Sequence, residues 1–111
     1  MALTVGIGTW AGKTTARLIR GEVRFTIAEG EDGEYKIDVT LPGNLKNTKF
    51  DFRNVHAVDD KTLEGEGEVS LVPGKVLGGR FIFDGDKMSG EITKVPVIRT
   101  AKVTDGYRVK D

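Results

Sequence analysis

Apolar and polar residues alternate with a period of two along most of this chain, and this alternation restricts its fold more than any other feature. Val23, Phe25 and Ile27, for example, alternate with charged or polar residues. Successive side chains of a β-strand point to opposite faces, so the pattern predicts strands with one apolar and one polar face. The same pattern recurs in segments 35–41, 50–53, 63–71, 79–83, 88–92 and 95–103, and 107–109 would extend the last strand.

Turn-forming residues separate these segments about every 8–12 residues, the spacing typical of an all-β barrel or sandwich. Asp32-Gly33 is the strongest hairpin signal of the chain. The alternation slips by one residue before Val55 and Ala57, which predicts a β-bulge near Asn54. Segment 11–20 is the best helical candidate, but it lacks an apolar stripe and is not predicted to be a helix.

We therefore predict an all-β fold, a small antiparallel up-and-down β-barrel of about eight strands that forms one domain over residues 1–111. Closure buries every apolar face and removes both exposed sheet edges. Gly65, Gly67, Gly79 and Gly90 share the apolar phase, where the strong bending of a small barrel would require glycine. A two-layer β-sandwich is the alternative, because it tolerates inward glycines without requiring them.

The charge balance excludes several classes of partner. The 17 basic and 17 acidic residues give a formal net charge of zero, so we expect neither nucleic acid nor an anionic membrane as a partner. The chain has no cysteine for a disulfide or a thiol nucleophile. Its N-terminus lacks the features of a signal peptide, and no apolar run reaches the ~20 residues of a membrane helix. The cytoplasm is the default expectation, with a mature exported protein as the alternative.

Motifs for catalysis or metal binding are incomplete. Gly12-Lys13-Thr14 ends like a phosphate-binding loop, but Ile7 occupies the position that needs the first glycine. His56 has only two nearby carboxylates, both in a predicted turn, and is expected to be exposed rather than a metal ligand. Neither Ser70 nor Ser89 lies in a Gly-x-Ser-x-Gly elbow. We therefore predict a protein that is not an enzyme and that has no cofactor and no metal site.

Three glutamates, Glu64, Glu66 and Glu68, occupy the polar phase of one predicted strand. Such a row could form a cation site or an acid–base pair. Because the opposite phase carries the apolar residues, we favour a solvated outer face whose glutamates pair with Lys or Arg on neighbouring strands.

Gly8-Thr9-Trp10 resembles the Gly-x-Trp signature of the first strand in lipocalins, avidin-like proteins and the wider calycin group. This resemblance implies that the tryptophan lies at the closed end of an antiparallel barrel, with an arginine of the last strand across its ring. Arg99 matches that arginine in kind and order, and Arg108 is a second candidate. A guanidinium stacked on an indole would add a cation–π interaction there.

The aromatic residues and the inward glycines together predict an internal cavity that binds a small apolar molecule without catalysis. If the barrel is narrower, the same aromatic rings would simply fill its core. The expected wall residues are Phe25, Tyr35, Phe52, Phe81 and Phe83, and the expected floor residues are Trp10 and Arg99.

A second hypothesis is a structural module that acts through homo-oligomerisation. Val72, Ile82 and Ile98 fall on outward phases and could form an apolar contact patch. An enzyme that uses acidic or tyrosine side chains in the interior is a weaker third option, because the acidic residues fall on outward phases.

Overall fold

The computed structural model describes residues 3–16, 19–95 and 99–109, and it confirms the all-β prediction. The described segments form eight strands and one turn of 3-10 helix, Gly43–Leu45. The strands are β1 (Gly8–Thr14), β2 (Val23–Glu29), β3 (Tyr35–Thr40), β4 (Phe50–Asp59), β5 (Thr62–Val69), β6 (Leu77–Asp84), β7 (Lys87–Val95) and β8 (Arg99–Arg108). Within these described segments, no helix is long and apolar enough to cross a membrane.

The strands form one antiparallel sheet that curls into a nearly closed barrel, in the order β3-β2-β1-β8-β7-β6-β5-β4. Each strand pairs with its neighbour in sequence, except that β3 and β4 lie side by side without ladder hydrogen bonds. Pairing of β1 with β8 joins the first strand to the last. The prediction of an up-and-down barrel rather than a sandwich is therefore confirmed, with one seam between β3 and β4.

The predicted bulge in β4 is present. The register between β4 and β5 shifts between Arg53 and His56, and Asn54 has a φ of 55°. Asn54 tolerates this left-handed conformation better than most residues. The extra residue returns Val55 and Ala57 to the interior, where both are buried.

The two ends of the barrel differ in how they are covered. At the closed end, the strands are joined by the short turns 30–34, 60–61 and 85–86, and segment 3–7 lies against them. At the open end, the longer connections 15–22, 41–49 and 70–76 link the strands, and β7 and β8 approach each other at Val95 and Arg99.

The closed half of the interior is fully packed. Trp10 and Phe83 are completely buried, with ring centroids 5.1 Å apart, and Ile27 and Leu63 are buried to the same degree. The Trp10 indole N–H donates to the Gly6 carbonyl at 2.9 Å, which satisfies its only polar atom. Space for a ligand therefore has to lie towards the open end.

Candidate functional site

A cavity of about 540 Å³ occupies the open half of the barrel. Residues from all eight strands and from three connections of the open end form its wall. They are Thr14, Thr15, Ala16, Ile19, Val23, Phe25, Val39, Leu41, Phe50, Phe52, Gly67, Val69, Leu71, Val72, Leu77, Gly78, Phe81, Ile92, Val95, Thr100, Ala101 and Val103. None of these lining residues carries a charge, so the described wall of the cavity is suited to an uncharged molecule.

Three threonines supply the only side-chain polar atoms among these lining residues. The Thr15 hydroxyl accepts a hydrogen bond from the Lys102 backbone N–H at 2.9 Å. The Thr14 hydroxyl accepts one from the Ala16 N–H at 3.2 Å. The Thr14 and Thr15 hydroxyls each keep their own O–H donor, and Thr100 is exposed at the start of β8. Side-chain hydrogen bonding to a polar ligand is therefore limited to these three hydroxyls near the open end.

Two pairs of phenylalanines shape the wall. The Phe25 and Phe81 rings lie 5.6 Å apart at 58°. On β6, Phe81 is the inward residue next to Phe83, which lies in the packed closed half. The Phe25–Phe81 pair therefore separates the cavity from that half. The Phe50 and Phe52 rings are stacked, 5.8 Å apart at 4°, and lie on β4 beside the seam. The seam side of the cavity is therefore closed by side chains rather than by backbone hydrogen bonds.

Neighbouring atoms already occupy the space beside three of the four inward glycines, so these three do not enlarge the cavity as predicted from the sequence. A Cβ atom on Gly90 would lie 2.7 Å from Phe81 Cδ1, and one on Gly65 would lie 2.9 Å from Val55 Cγ2. A Cβ atom on Gly67 would meet the Asp51 carbonyl oxygen at 2.7 Å. Neighbouring side chains and backbone therefore occupy the space that these glycines leave, as when a large side chain packs over a strand glycine.

The arginine that packs on Trp10 is Arg108, the second candidate. Its guanidinium carbon lies 4.3 Å from the centroid of the indole ring. Its Nη1 donates to the Ile7 carbonyl at 2.9 Å, and its Nε lies 3.2 Å from Asp86 Oδ1. The placement of Arg99 at the floor is wrong, because β8 runs from the open end to the closed end. Arg99 begins that strand opposite Val95, whereas Arg108 pairs with Trp10.

The other predicted site residues divide between the two halves of the barrel. Phe25, Phe52 and Phe81 line the cavity. Phe83 lies in the packed closed half with Trp10, outside the cavity wall. Tyr35 also lies towards the closed end, where its hydroxyl accepts a hydrogen bond from the Leu3 N–H at 2.9 Å.

Several residues that line the cavity were not among the predicted site residues, and they include Phe50, Val39, Val69, Ala101 and Val103. All five share the inward phase of their strands, so the alternation itself could have identified them. What the alternation does not show is which end of each strand is open, and only the order of the strands supplies that direction.

The glutamate row lies on the outer face, as predicted. Glu64 pairs with Arg80 at 3.1 Å and Glu68 with Arg53 at 3.4 Å. All four side chains are well exposed, so each ion pair contributes little to stability.

His56 is exposed on β4, and its Nδ1 lies 2.7 Å from the Asn54 carbonyl oxygen. At the closed end nearby, a hydrogen bond from the Lys61 N–H to Asp59 lowers the pKa of that carboxyl group. Within the part of the chain that the structure describes, no group of three His, Cys, Asp or Glu residues could hold a metal ion.

The residues of the predicted oligomer patch do not share one surface. Ile82 is 44 % exposed on the outer face of β6, whereas Val72 lies at the open end and lines the cavity. Ile98 lies outside the described residues. Homo-oligomerisation through these residues stays a prediction.

Taken together, the first strand with Trp10, the arginine of the last strand across its ring and the eight antiparallel strands are compatible with a calycin-like fold. The cavity and this closed end are the features from which a function can be argued. No protein-family model, no curated protein and no solved structure matches the chain.

Proposed function

We propose that this protein binds a small, uncharged, apolar molecule in the open half of its barrel and does not change that molecule chemically. The observation that supports this proposal is the cavity of about 540 Å³ with no charged side chain among its lining residues. Pockets for small molecules typically measure ~300–1,000 Å³ and are mostly apolar.

The physical basis is the transfer of apolar surface out of water. Each Å² of apolar surface removed from water contributes ~25 cal/mol, and this wall offers mainly aliphatic and phenylalanine side chains to receive it. A charged ligand group would lose its hydration without gaining a partner on this wall. Selection would therefore depend on size, shape and lack of charge.

The same wall is the reason for proposing binding rather than catalysis. Acid–base chemistry needs a titratable group within hydrogen-bond reach of the reacting atoms. The described lining residues include no Asp, Glu, His, Lys, Arg, Cys or Tyr. The resemblance to the calycin group supports the same proposal, because it implies a barrel with one packed end, and the rest of the interior is then the part that can hold a ligand.

Fluorescence titration with N-phenyl-1-naphthylamine, a neutral apolar dye of about 17 non-hydrogen atoms, tests this proposal. At ~0.4 kcal/mol per non-hydrogen atom, the expected Kd is on the order of 10 μM. The test variant is Ala101→Phe, which places a ring in the cavity from a buried position on β8. The matched control is Ala28→Phe, the same substitution at an exposed position on β2.

We expect saturable binding by the original protein and by Ala28→Phe, and binding at least tenfold weaker by Ala101→Phe. Circular dichroism and the fluorescence of the single tryptophan would verify that each variant is folded. The proposal is refuted if the folded original protein does not bind the dye, or if both variants lose binding equally.

A further inference from the structure

The net charge of zero conceals a separation of charge between the two ends of the barrel. Apart from Lys94, the strand residues one step inside the open end balance in charge, with Lys13 and Arg24 against Asp51 and Glu68. In the described connections of the open end and in Lys94 and Arg99, at the ends of β7 and β8, six side chains are basic and one, Glu22, is acidic. All seven are exposed. The basic residues are Arg20, Lys46, Lys49, Lys75, Lys94 and Arg99.

The closed end has the opposite character. Its described turns and adjoining strand ends contain eight carboxylates and three basic residues, which are Lys61, Lys87 and Arg108. The carboxylates are Glu29, Glu31, Asp32, Glu34, Asp59, Asp60, Asp84 and Asp86. Each strand carries the chain from one end of the barrel to the other, so successive connections lie at opposite ends. The separation of positive from negative charge is therefore not apparent in the linear sequence.

Among the described residues, the six basic side chains of the open end form no ion pair. The ion pairs found among the described residues lie on the strand faces or at the closed end, and none involves these six side chains. The positive field at the mouth of the cavity is therefore available to an external negative surface.

Exposed apolar side chains accompany this positive charge. Leu71 is 41 % exposed and lines the cavity, and Val76, in the same connection, is 42 % exposed. Two hydrogen bonds of 2.9 Å join Ser70 to Lys49, which places this apolar connection directly beside the basic connection 41–49. Apolar tips surrounded by cations are typical of segments that bind the interface of an anionic membrane.

We infer that the open end docks onto an anionic lipid surface, with its basic residues at the headgroups and Leu71 and Val76 at the acyl boundary. Docking in this orientation would turn the mouth of the cavity towards the phase in which apolar molecules dissolve. The net charge of zero predicted that the protein does not bind an anionic membrane. This inference differs, because the electric field at a membrane depends on the charge of the end of the barrel that faces it. It does not depend on whether the cavity holds a ligand.

A second copy of the chain is the competing occupant, since its acidic closed end complements the basic open end. We favour the lipid surface for two reasons. The partly exposed residues Leu71 and Val76 would lie against charged turns in a head-to-tail contact, and such a contact would also cover the mouth of the cavity. Head-to-tail association of two copies through the open end would therefore overturn the inference.

Co-sedimentation with vesicles tests the inference with the full chain and no added ligand. Vesicles of phosphatidylcholine with about one third phosphatidylglycerol would be compared with pure phosphatidylcholine, at ~50 mM and ~300 mM salt. Each basic residue near an anionic surface contributes roughly fivefold to partitioning. We expect binding to the anionic vesicles alone, weakened by the higher salt concentration.

Two triple variants with the same change in net charge separate the ends. Lys46→Gln/Lys49→Gln/Lys75→Gln neutralises the open end, and Lys36→Gln/Lys61→Gln/Lys87→Gln neutralises exposed lysines towards the closed end. The first variant should partition roughly 100-fold more weakly, and the second should bind like the original protein. Leu71→Ser/Val76→Ser should also weaken binding while leaving its salt dependence in place.

Three results would overturn the inference. The first is a folded original protein that does not bind anionic vesicles at low salt. The second is an equal loss of binding in both lysine variants. The third is concentration-dependent association in sedimentation velocity that the open-end variant abolishes, without vesicle binding, because this would identify the open end as a contact between copies. Dye binding in the cavity is unaffected by any of these results, so the two proposals fail separately.

Discussion

Removal of the Arg108 guanidinium should destabilise the closed end of the barrel more than removal of any exposed arginine. The Arg108 side chain is 27 % exposed, packs on the buried Trp10 ring and donates to the Ile7 carbonyl oxygen. Arg108→Met keeps much of the aliphatic stem and deletes these polar contacts. Arg108→Lys keeps the charge but loses the planar group that can stack and donate at the same time.

The size of the effect follows from the separate contacts. A partly buried cation–π interaction contributes ~1 kcal/mol, and a hydrogen bond from a charged donor contributes ~1.5 kcal/mol. The contact with Asp86, whose side chain is 73 % exposed, adds less than ~1 kcal/mol. We therefore expect Arg108→Met to lower the free energy of unfolding by about 2–3 kcal/mol, and Arg108→Lys to lower it by about half as much.

Urea unfolding followed by the fluorescence of Trp10 measures this loss, because Trp10 is the only tryptophan and is fully buried. With a typical m-value for a small domain, the midpoint should fall by about 1–2 M. The control is Arg99→Met, at the exposed arginine of the same strand, which should change the free energy by less than ~0.5 kcal/mol. Equal losses in Arg108→Met and Arg99→Met, or no loss in either, would refute the role assigned to Arg108.

Two further predictions concern a glycine and a tyrosine. Gly90→Ala should lower the free energy of unfolding by ~1–3 kcal/mol, because the added Cβ would lie 2.7 Å from Phe81 Cδ1. Gly79→Ala should be tolerated, because its Cβ would lie 3.4 Å from the nearest Phe81 atom. Similar urea midpoints for both variants would contradict this reasoning. The hydrogen bond from the Tyr107 hydroxyl to Glu22, 2.8 Å long, raises the pKa of Tyr107 above its usual value near 10. The stability that this hydrogen bond adds is present below pH ~10, and it is lost as the pH rises through the pKa of Tyr107 in the folded protein. Glu22→Ala should therefore lower the pKa of Tyr107, measured by phenolate absorbance against Tyr107→Phe, and an unchanged titration would contradict the assignment.

Much of the fold could be predicted because its determinants are local in sequence. The alternation around Phe25 assigns each strand an inner and an outer face, and the slip before Val55 locates the bulge at Asn54. Both are consequences of the two-residue period of a strand, in which one extra residue changes the face of every following side chain. The outward position of Glu64 and its neighbours follows from the same rule.

The rest depends on contacts between distant parts of the chain. The choice of Arg108 over Arg99 requires the direction of β8 relative to β1, because only one end of β8 lies beside Trp10. The ring of Phe81 fills the space at Gly90, and this packing between β6 and β7 has no signature in either segment. The charge separation between the ends likewise appears only when alternate connections are brought to the same end.

Methyl NMR spectra recorded during a titration with N-phenyl-1-naphthylamine test the central claim most directly, since they report where an apolar molecule binds. Binding inside the barrel would produce saturable shifts for methyl groups of the cavity wall, such as those of Val39, Val69 and Val103. Ile27 and Leu63, in the packed closed half, would change little. Shifts confined to methyl groups of the outer face, such as that of Ile82, or no saturable shifts at all, would contradict a binding site inside the barrel.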